Sequence, residues 1–309
     1  MGRRHLFVVM VAVFALLCWS GCAERGPMGE AQQQRAAAPP PLVLATWNIN
    51  WLNQHDKQGP NPRDAAHYKM LARYARELDA DVIALQEVDG AEAARRVFDP
   101  ERYAFHFSSR DNLQRVGFAY RKGLSIERHP DLVLLARVDS ERLRYGVDMS
   151  VIDPKTGGSL RLLVVHLKSG CFSSPLDGDE VVGREDPRAC QKLAMQIPVL
   201  EKWISARVAS KEPFVILGDF NRRLNPADDV WKKLVASNPE AGLSGPTLRA
   251  KSRCWGGRYP EFIDHFILDA RAARRLDKRS LAQITYSPED RARAPRELSD
   301  HCPISIDFR

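Results

Sequence analysis

Polar residues that could do chemistry sit in or directly beside apolar runs at six places in this chain. Asn48 follows Leu42-Val43-Leu44-Ala45-Thr46, Glu87 follows Asp81-Val82-Ile83-Ala84-Leu85, and His166 follows Leu162-Leu163-Val164-Val165. Asp219 and Asn221 follow Pro213-Phe214-Val215-Ile216-Leu217, and Asp264 lies inside Phe262-Ile263-Asp264-His265-Phe266. Asp300 and His301 directly precede Pro303-Ile304-Ser305-Ile306. Ionisable groups embedded in apolar sequence are costly unless they are paired or coordinated. Strand ends on one rim of a sheet can converge from distant parts of a chain, so the pattern predicts a single site. Gly218-Asp219-Phe220-Asn221 is its centre, where a buried strand fixes the backbone and the loop lets polar groups meet. Each motif alone has a plainer meaning. Asp219 and Asn221 suit a turn that caps its own backbone, Glu87 a helix cap or ion pair, and His166 a satisfied core histidine. Asp264 is harder to dismiss, because a charge inside a strand needs a partner. His265 is expected on the opposite face of that strand.

The elements that would carry these residues are mostly strands. Strands are expected over residues 42–46, 81–85, 103–108, 116–121, 124–128, 145–152, 159–166, 214–217, 262–268 and 303–308. A turn around Asp153-Pro154-Lys155-Thr156-Gly157-Gly158 would join the sixth and seventh of these. Helical spacing of Leu71, Tyr74 and Leu78 predicts a helix from Asp64 to Leu78. A longer helix over 187–208 carries Leu193, Ile197, Leu200 and Ile204 on one face, with Pro198 expected to bend it. A shorter helix is expected near Asp228 to Ala236. Many strands, few helices and long connections fit two packed sheets with helices outside better than a Rossmann fold. The chain has no G-x-G-x-x-G, Walker A loop, G-x-S-x-G or H-E-x-x-H, which argues against those chemistries.

Thr46-Trp47-Asn48-Ile49, Gln86-Glu87-Val88, Val165-His166-Leu167, Gly218-Asp219-Phe220-Asn221, Ile263-Asp264 and Ser299-Asp300-His301-Cys302-Pro303 occur in that order. Their order resembles that of the endonuclease/exonuclease/phosphatase superfamily, which includes DNase I, exonuclease III enzymes, inositol polyphosphate 5-phosphatases and neutral sphingomyelinases. The resemblance spans residues 42–309 and implies a four-layer α/β sandwich, with two mostly antiparallel sheets flanked by helices. It also implies hydrolysis of a phosphoester with a divalent cation, Mg2+ or else Mn2+ or Ca2+. Glu87 would supply the metal carboxylate, since hard Mg2+ prefers oxygen, with Asn48 and Asp300 completing the shell. His301 would activate water while Asp264 holds its other ring nitrogen. Asp219 would assist proton transfer or orient the nucleophile. Asn221 would donate to the phosphoryl oxygen, and His166 to a non-bridging oxygen or the leaving group. Asn50 stands where some relatives carry a metal-linked Asp, which implies weaker metal binding here.

The substrate is less constrained, because it depends on loops. The Trp-Cys-Asp-Arg-type signature of inositol phosphatases is missing from Pro260-Glu261-Phe262-Ile263-Asp264-His265. Arg110, Arg115, Arg121, Lys122, Arg222 and Arg223 flank the expected rim, and Arg222 and Lys168 are the candidate substrate-binding cations; a solvated surface is the plainer account. A DNase I-like nuclease acting on nucleic acid is the favoured expectation. A sphingomyelinase-like phospholipase C is the alternative enzyme, and a catalytically silent phosphate- or lipid-binding surface protein the alternative of another class.

The N-terminus bears on location. Arg3 and Arg4 precede an apolar run over residues 6–17, too short to span a bilayer comfortably, and small residues then lead to Cys22. That order matches an export signal over residues 1–22. Trp19-Ser20-Gly21-Cys22 resembles a bacterial lipobox, which implies lipidation at Cys22 and tethering to a membrane; Trp19 replaces the usual Leu, and plain cleavage near Ala23 is the alternative. Residues 23–41, rich in Gln, Ala and Pro, read as a flexible linker. Residues 42–309 then form one catalytic domain, expected to act as a monomer in the periplasm, on the outer membrane or outside the cell. Cys171, Cys190, Cys254 and Cys302 remain, an even set that suits an oxidising compartment. Sequence order suggests bridges Cys171–Cys190 and Cys254–Cys302; four buried thiols are the other possibility. At 309 residues and 44% hydrophobic the chain can bury a large core. Its formal net charge of +7 mildly favours anionic partners.

Overall fold

The computed structural model describes residues 41–138, 143–153, 157–177 and 180–309. The expected export signal, Cys22, nearly all of the expected linker, and Pro154 to Thr156 of the expected turn lie outside the described residues. Among the described residues, eleven strands and six α-helices follow from Leu42. In chain order they are β1 (Leu42–Leu52), α1 (Ala65–Leu78), β2 (Val82–Val88), α2 (Gly90–Ala94), β3 (Tyr103–Phe107), β4 (Arg115–Arg121) and β5 (Ser125–Arg128). Then come β6 (Val147–Ile152), β7 (Ser159–His166), α3 (Pro187–Ser210), β8 (Phe214–Asp219) and α4 (Asp229–Ser237). The chain ends with β9 (Asp264–Leu268), α5 (Ala270–Arg275), β10 (Ala282–Gln283), α6 (Pro288–Arg293) and β11 (Ile304–Phe308).

The strands form a six-stranded sheet, β10-β11-β1-β2-β4-β3, and a five-stranded sheet, β5-β6-β7-β8-β9. Among the described residues, only β1 with β2 and β7 with β8 run parallel, and the other pairings are antiparallel. Side chains alternate across each strand. Leu42, Leu44, Val82 and Ala84 therefore meet Leu162, Val164, Val215 and Leu217 between the sheets. The opposite faces carry Ala45, Trp47 and Ile49 against Leu71 and Tyr74 of α1, and Leu163, Val165 and Ile216 against Leu193, Ile197 and Ile204 of α3. Four layers result, as the resemblance implied. α3 stays helical through Pro198, although a proline there removes one backbone donor. Asp64, Asp186 and Asp228 cap α1, α3 and α4 with their side chains, satisfying amides left open by helix geometry.

The two parallel pairs matter most for position. Each brings two strand C-termini to one rim, with Asn48 beside Gln86 in register and His166 beside Asp219. The antiparallel β9 begins at that rim, so Asp264 registers with Asp219. β11 also begins there, since Ile304 pairs with Thr46. Both disulfides form as the order suggested, Cys171–Cys190 and Cys254–Cys302.

Candidate active site

Gly218 lets the two central strands of the smaller sheet close up beside Asp219. Its φ is +134°, and a Cβ there would lie 2.2 Å from the Val165 carbonyl oxygen. Asn50, Trp51, Glu87 and Asn221 also take positive φ values without being glycine. Such backbone is costly and persists only where its surroundings hold it. Arg63 supplies part of that hold. Buried beneath the turn after Asn48, it donates to the carbonyls of Ile49 (3.1 Å), Trp51 (3.4 Å) and Glu297 (2.5 Å).

The side chains then meet directly. Asn48 Nδ2 donates to Asp219 Oδ2 at 3.0 Å and to Glu87 Oε1 at 3.3 Å, while its Oδ1 accepts from the Asn50 amide. His166 Nε2 lies 3.5 Å from Asp219 Oδ2 and 3.6 Å from Glu87 Oε1. Asn221 gives its backbone N–H to Asp219 Oδ1 at 2.7 Å, and its amide to Asp219 Oδ2 and the Leu167 carbonyl. His301 Nδ1 is 2.7 Å from Asp264 Oδ2, and its Nε2 is 3.8 Å from Asp219 Oδ2. Oxygens of Asp219 and Asp264 and a ring nitrogen of His301 all fall within 4.8 Å of one another.

Electrostatics give these groups different protonation. Burial pushes the Asp219 carboxyl up to about 7, with Asp264 adding to the rise and His301 opposing it. Burial, helped by the positive charge of Arg144, holds His166 well below the ordinary histidine value, so it is neutral. Burial works the same way on His301, but Asp264, Asp219 and Asp300 outweigh it and raise this ring well above that value. A neutral imidazole, an imidazolium and a carboxyl that titrates near neutrality thus share one cleft. Buried Oδ1 of Asp264 and Nδ1 of His166 have no hydrogen-bond partner. Carboxylate oxygens outnumber cations here, and hard oxygen donors suit a divalent cation. The residues present therefore fit one: Asp219, Asp264 and His301 offer donor atoms within reach of one another, and Glu87 stands across the Asn48 amide from Asp219.

Of the residues singled out from sequence, Asn48, Glu87, His166, Asp219, Asn221, Asp264 and His301 are joined by these contacts, and Asp300 lies beside His301. Arg222 does not join them. It is buried and ion-paired with Asp228 at 2.7 Å, and donates to the carbonyls of Cys171 and Ser174, so it braces the loop after His166 instead of meeting substrate. Lys168 turns its ammonium to the neighbouring Ser169 carbonyl. Arg121 and Lys122 lie at the other rim, because β4 runs antiparallel to β2 and ends beside Asp81. Arg110 is buried close enough to influence His166. His265 lies on the opposite face from Asp264, as expected, donating Nε2–H to the Arg222 carbonyl and accepting from the Thr247 hydroxyl at Nδ1.

Two supports left no mark in the sequence pattern. Arg144 donates to the carbonyls of His166 and Leu167. Trp47 donates to the Tyr286 hydroxyl, which donates to the His301 carbonyl at 2.6 Å. Ser299 adds a third tie, donating to the Asn48 carbonyl and accepting from the His301 amide. The Ser299-Asp300-His301 run is the one local signal that would have revealed it.

Comparison with other proteins agrees with this architecture. The catalytic domain of human Nocturnin with bound sulfate anion shares 16% identity over 87% of this chain and 94% of that one, with a TM-score of 0.55. D. rerio TDP2 complexed with single strand DNA product gives 19% identity over 87% and 99%, with a TM-score of 0.58. An endonuclease/exonuclease/phosphatase from Bacteroides vulgatus gives 16% identity over 87% and 98%, with a TM-score of 0.53. At such identities these likenesses establish the fold. No curated protein sequence matches the chain. The profile of one sequence family does, over residues 45–301, which takes in every contact described above from Asn48 to His301. The chain therefore belongs to the Endonuclease/Exonuclease/phosphatase family, whose members are hydrolases acting on phosphoester bonds.

Proposed function

We propose that the protein is a divalent-metal-dependent nuclease that hydrolyses phosphodiester bonds, exported from the cell. The observation that carries this reading is the His301–Asp264 contact of 2.7 Å facing Asp219, His166 and Glu87 in one cleft. Attack on a phosphodiester meets anionic oxygens and a poor alkoxide leaving group. A divalent cation held by Glu87, Asn48 and Asp300 would neutralise that charge. The attacking water gives its proton to the Asp219 carboxylate, which the His301 imidazolium faces, and Asp264 fixes that ring and balances its charge. Asn221 and Asn48 keep the Asp219 carboxylate aimed into the cleft. Neutral His166, steadied by Arg144 through its carbonyl, is a donor for a non-bridging or leaving oxygen.

Depressions open on both sides of Asp300, one lined by Asp264 and His301 and the other by Asn50, Trp51 and Asn61. Room on both sides of the centre suits a diester, which carries a group on each side of its phosphorus. A relative of the same fold complexed with single strand DNA product supports nucleic acid as the polymer. Export rests on the two disulfides and the N-terminal sequence pattern.

The test is hydrolysis of linear DNA and RNA by the purified domain with Mg2+, beside sphingomyelin and a phosphomonoester. Cleavage of nucleic acid that EDTA abolishes, and that His301→Ala lowers by about 10²–10⁴-fold in kcat, is the expected result. Cleavage surviving full chelation, or confined to sphingomyelin, overturns it.

A further inference from the structure

The depression beside His301 is a cavity of 330 Å³ that shares Asp264, Asp300 and His301 with the polar centre and adds an apolar and aromatic wall to them. Its floor is Phe262, Ile263 and the Cys254–Cys302 disulfide. At its mouth stand two aromatic rings, each with an arginine over it. Arg223 lies 5.8 Å from the ring centre of Phe172, and Arg258 lies 5.4 Å from that of Tyr259. Tyr259 is 51% exposed, so packing does not explain a large aromatic side chain there. The segment leading to it turns sharply through positive φ at Trp255, Gly256 and Gly257, and the disulfide anchors it to the residue after His301.

Such walls suit a flat ring more than an alkyl chain. Aromatic faces bind planar rings by stacking, and the volume matches one nucleoside-sized group. The arginines add charge where phosphates on either side of that ring would lie. A lipid tail would gain nothing from Arg223 and Arg258, and a bare phosphomonoester would leave the cavity unfilled. The cavity also continues in both directions. Arg223 is shared with a smaller depression lined by Ser173 and Asn225, and Asp300 with the one lined by Trp51. A strand crossing the centre would follow that track.

Resting on the nuclease reading, we propose that this cavity receives the nucleobase next to the scissile phosphate, so the substrate is unpaired nucleic acid. A base stacked inside an intact duplex cannot enter a side pocket without being pulled out of its pair. Single strands and frayed ends present it freely.

The experiment measures kcat/KM for the wild-type protein and a Phe172→Ala/Tyr259→Ala variant on three substrates of equal length with Mg2+. These are a single-stranded oligonucleotide, the same strand with one abasic residue at the cleavage position, and a blunt duplex. The expected wild-type preference for the normal strand is about tenfold over each of the others, and both ratios fall towards one in the variant. Tyr259→Ala alone, at an exposed position, moves the ratios part of the way and guards against a folding defect in the double variant. Equal cleavage of duplex and single strand, or ratios that the variant leaves unchanged, overturns the base pocket and leaves the nuclease standing. Absence of cleavage on every nucleic acid, with sphingomyelin or a phosphomonoester hydrolysed, overturns the nuclease reading and this assignment with it.

Discussion

The two rims of the sandwich handle acidic residues in opposite ways. At the rim where β2 begins, Asp79 accepts from Arg102 at 2.6 Å and from Arg121 at 2.8 Å, and Arg121 also reaches Asp81 at 3.0 Å. The hydrogen bond from Arg102, seconded by Arg121, holds the Asp79 carboxyl below the usual range. At the rim where β2 ends, Asp219 is buried and meets only two imidazoles within ion-pair distance among the described residues. One of these, His166, is neutral. The same side chain is thus lowered at one rim and raised to about 7 at the other. Sandwich geometry alone does not demand the second arrangement. A fold that matches its exposed acids with arginine, yet leaves a buried set of carboxylates short of positive charge, marks that place as a candidate site for a ligand of the missing sign.

Arg222 sharpens the contrast, since it stands directly after the Asn221 that orients Asp219. Its charge is already spent on Asp228, in a pair almost wholly removed from water. Breaking a buried pair strands one charge, which costs about 3–5 kcal/mol. Arg222→Met is therefore expected to lower unfolding free energy by about that amount, read by urea denaturation, and Arg222→Met/Asp228→Leu to recover much of the loss. If Arg222→Met instead left stability unchanged and weakened substrate binding alone, Arg222 would belong to the site after all.

How much of this was legible beforehand follows the same division. The strands could be read because buried ones are continuous apolar runs, and β7 ends at His166 where the run ends. The polar anchors were legible because an Asp or His at the close of such a run is expensive anywhere else. The far-rim place of Arg121 was not, because it depends on the direction of β4, and a run of apolar residues has no direction. Nor was the burial of Arg222 visible. Its partner Asp228 looks locally like the cap of α4, and it is that as well. Trp47 and Tyr286, which steady the His301 carbonyl, are 239 residues apart, and the packed core on the α1 face of the larger sheet joins them.

The comparison itself is tested by one substitution at each rim. Asp219→Asn keeps the shape of the side chain but removes a buried charge that burial and Asp264 both oppose. In metal-free protein it is expected to raise stability by about 1–2 kcal/mol, while phosphodiester cleavage is lost, the exchange typical of functional groups held in unfavourable surroundings. Asp79→Asn should do the reverse on a smaller scale. Its side chain is 57% exposed, and solvent screens its two arginine contacts, so it should lower stability by less than about 1 kcal/mol and leave cleavage intact. Thermal unfolding of both variants in EDTA, and again in Mg2+, reads the difference. Added Mg2+ should raise the Tm of the wild type and Asp79→Asn, and raise that of Asp219→Asn less, because binding to the folded state stabilises it. Equal destabilisation at both rims would mean that the buried acids are structural ion-pair partners like the exposed ones, and the excess of negative charge at the cleft would lose its functional meaning.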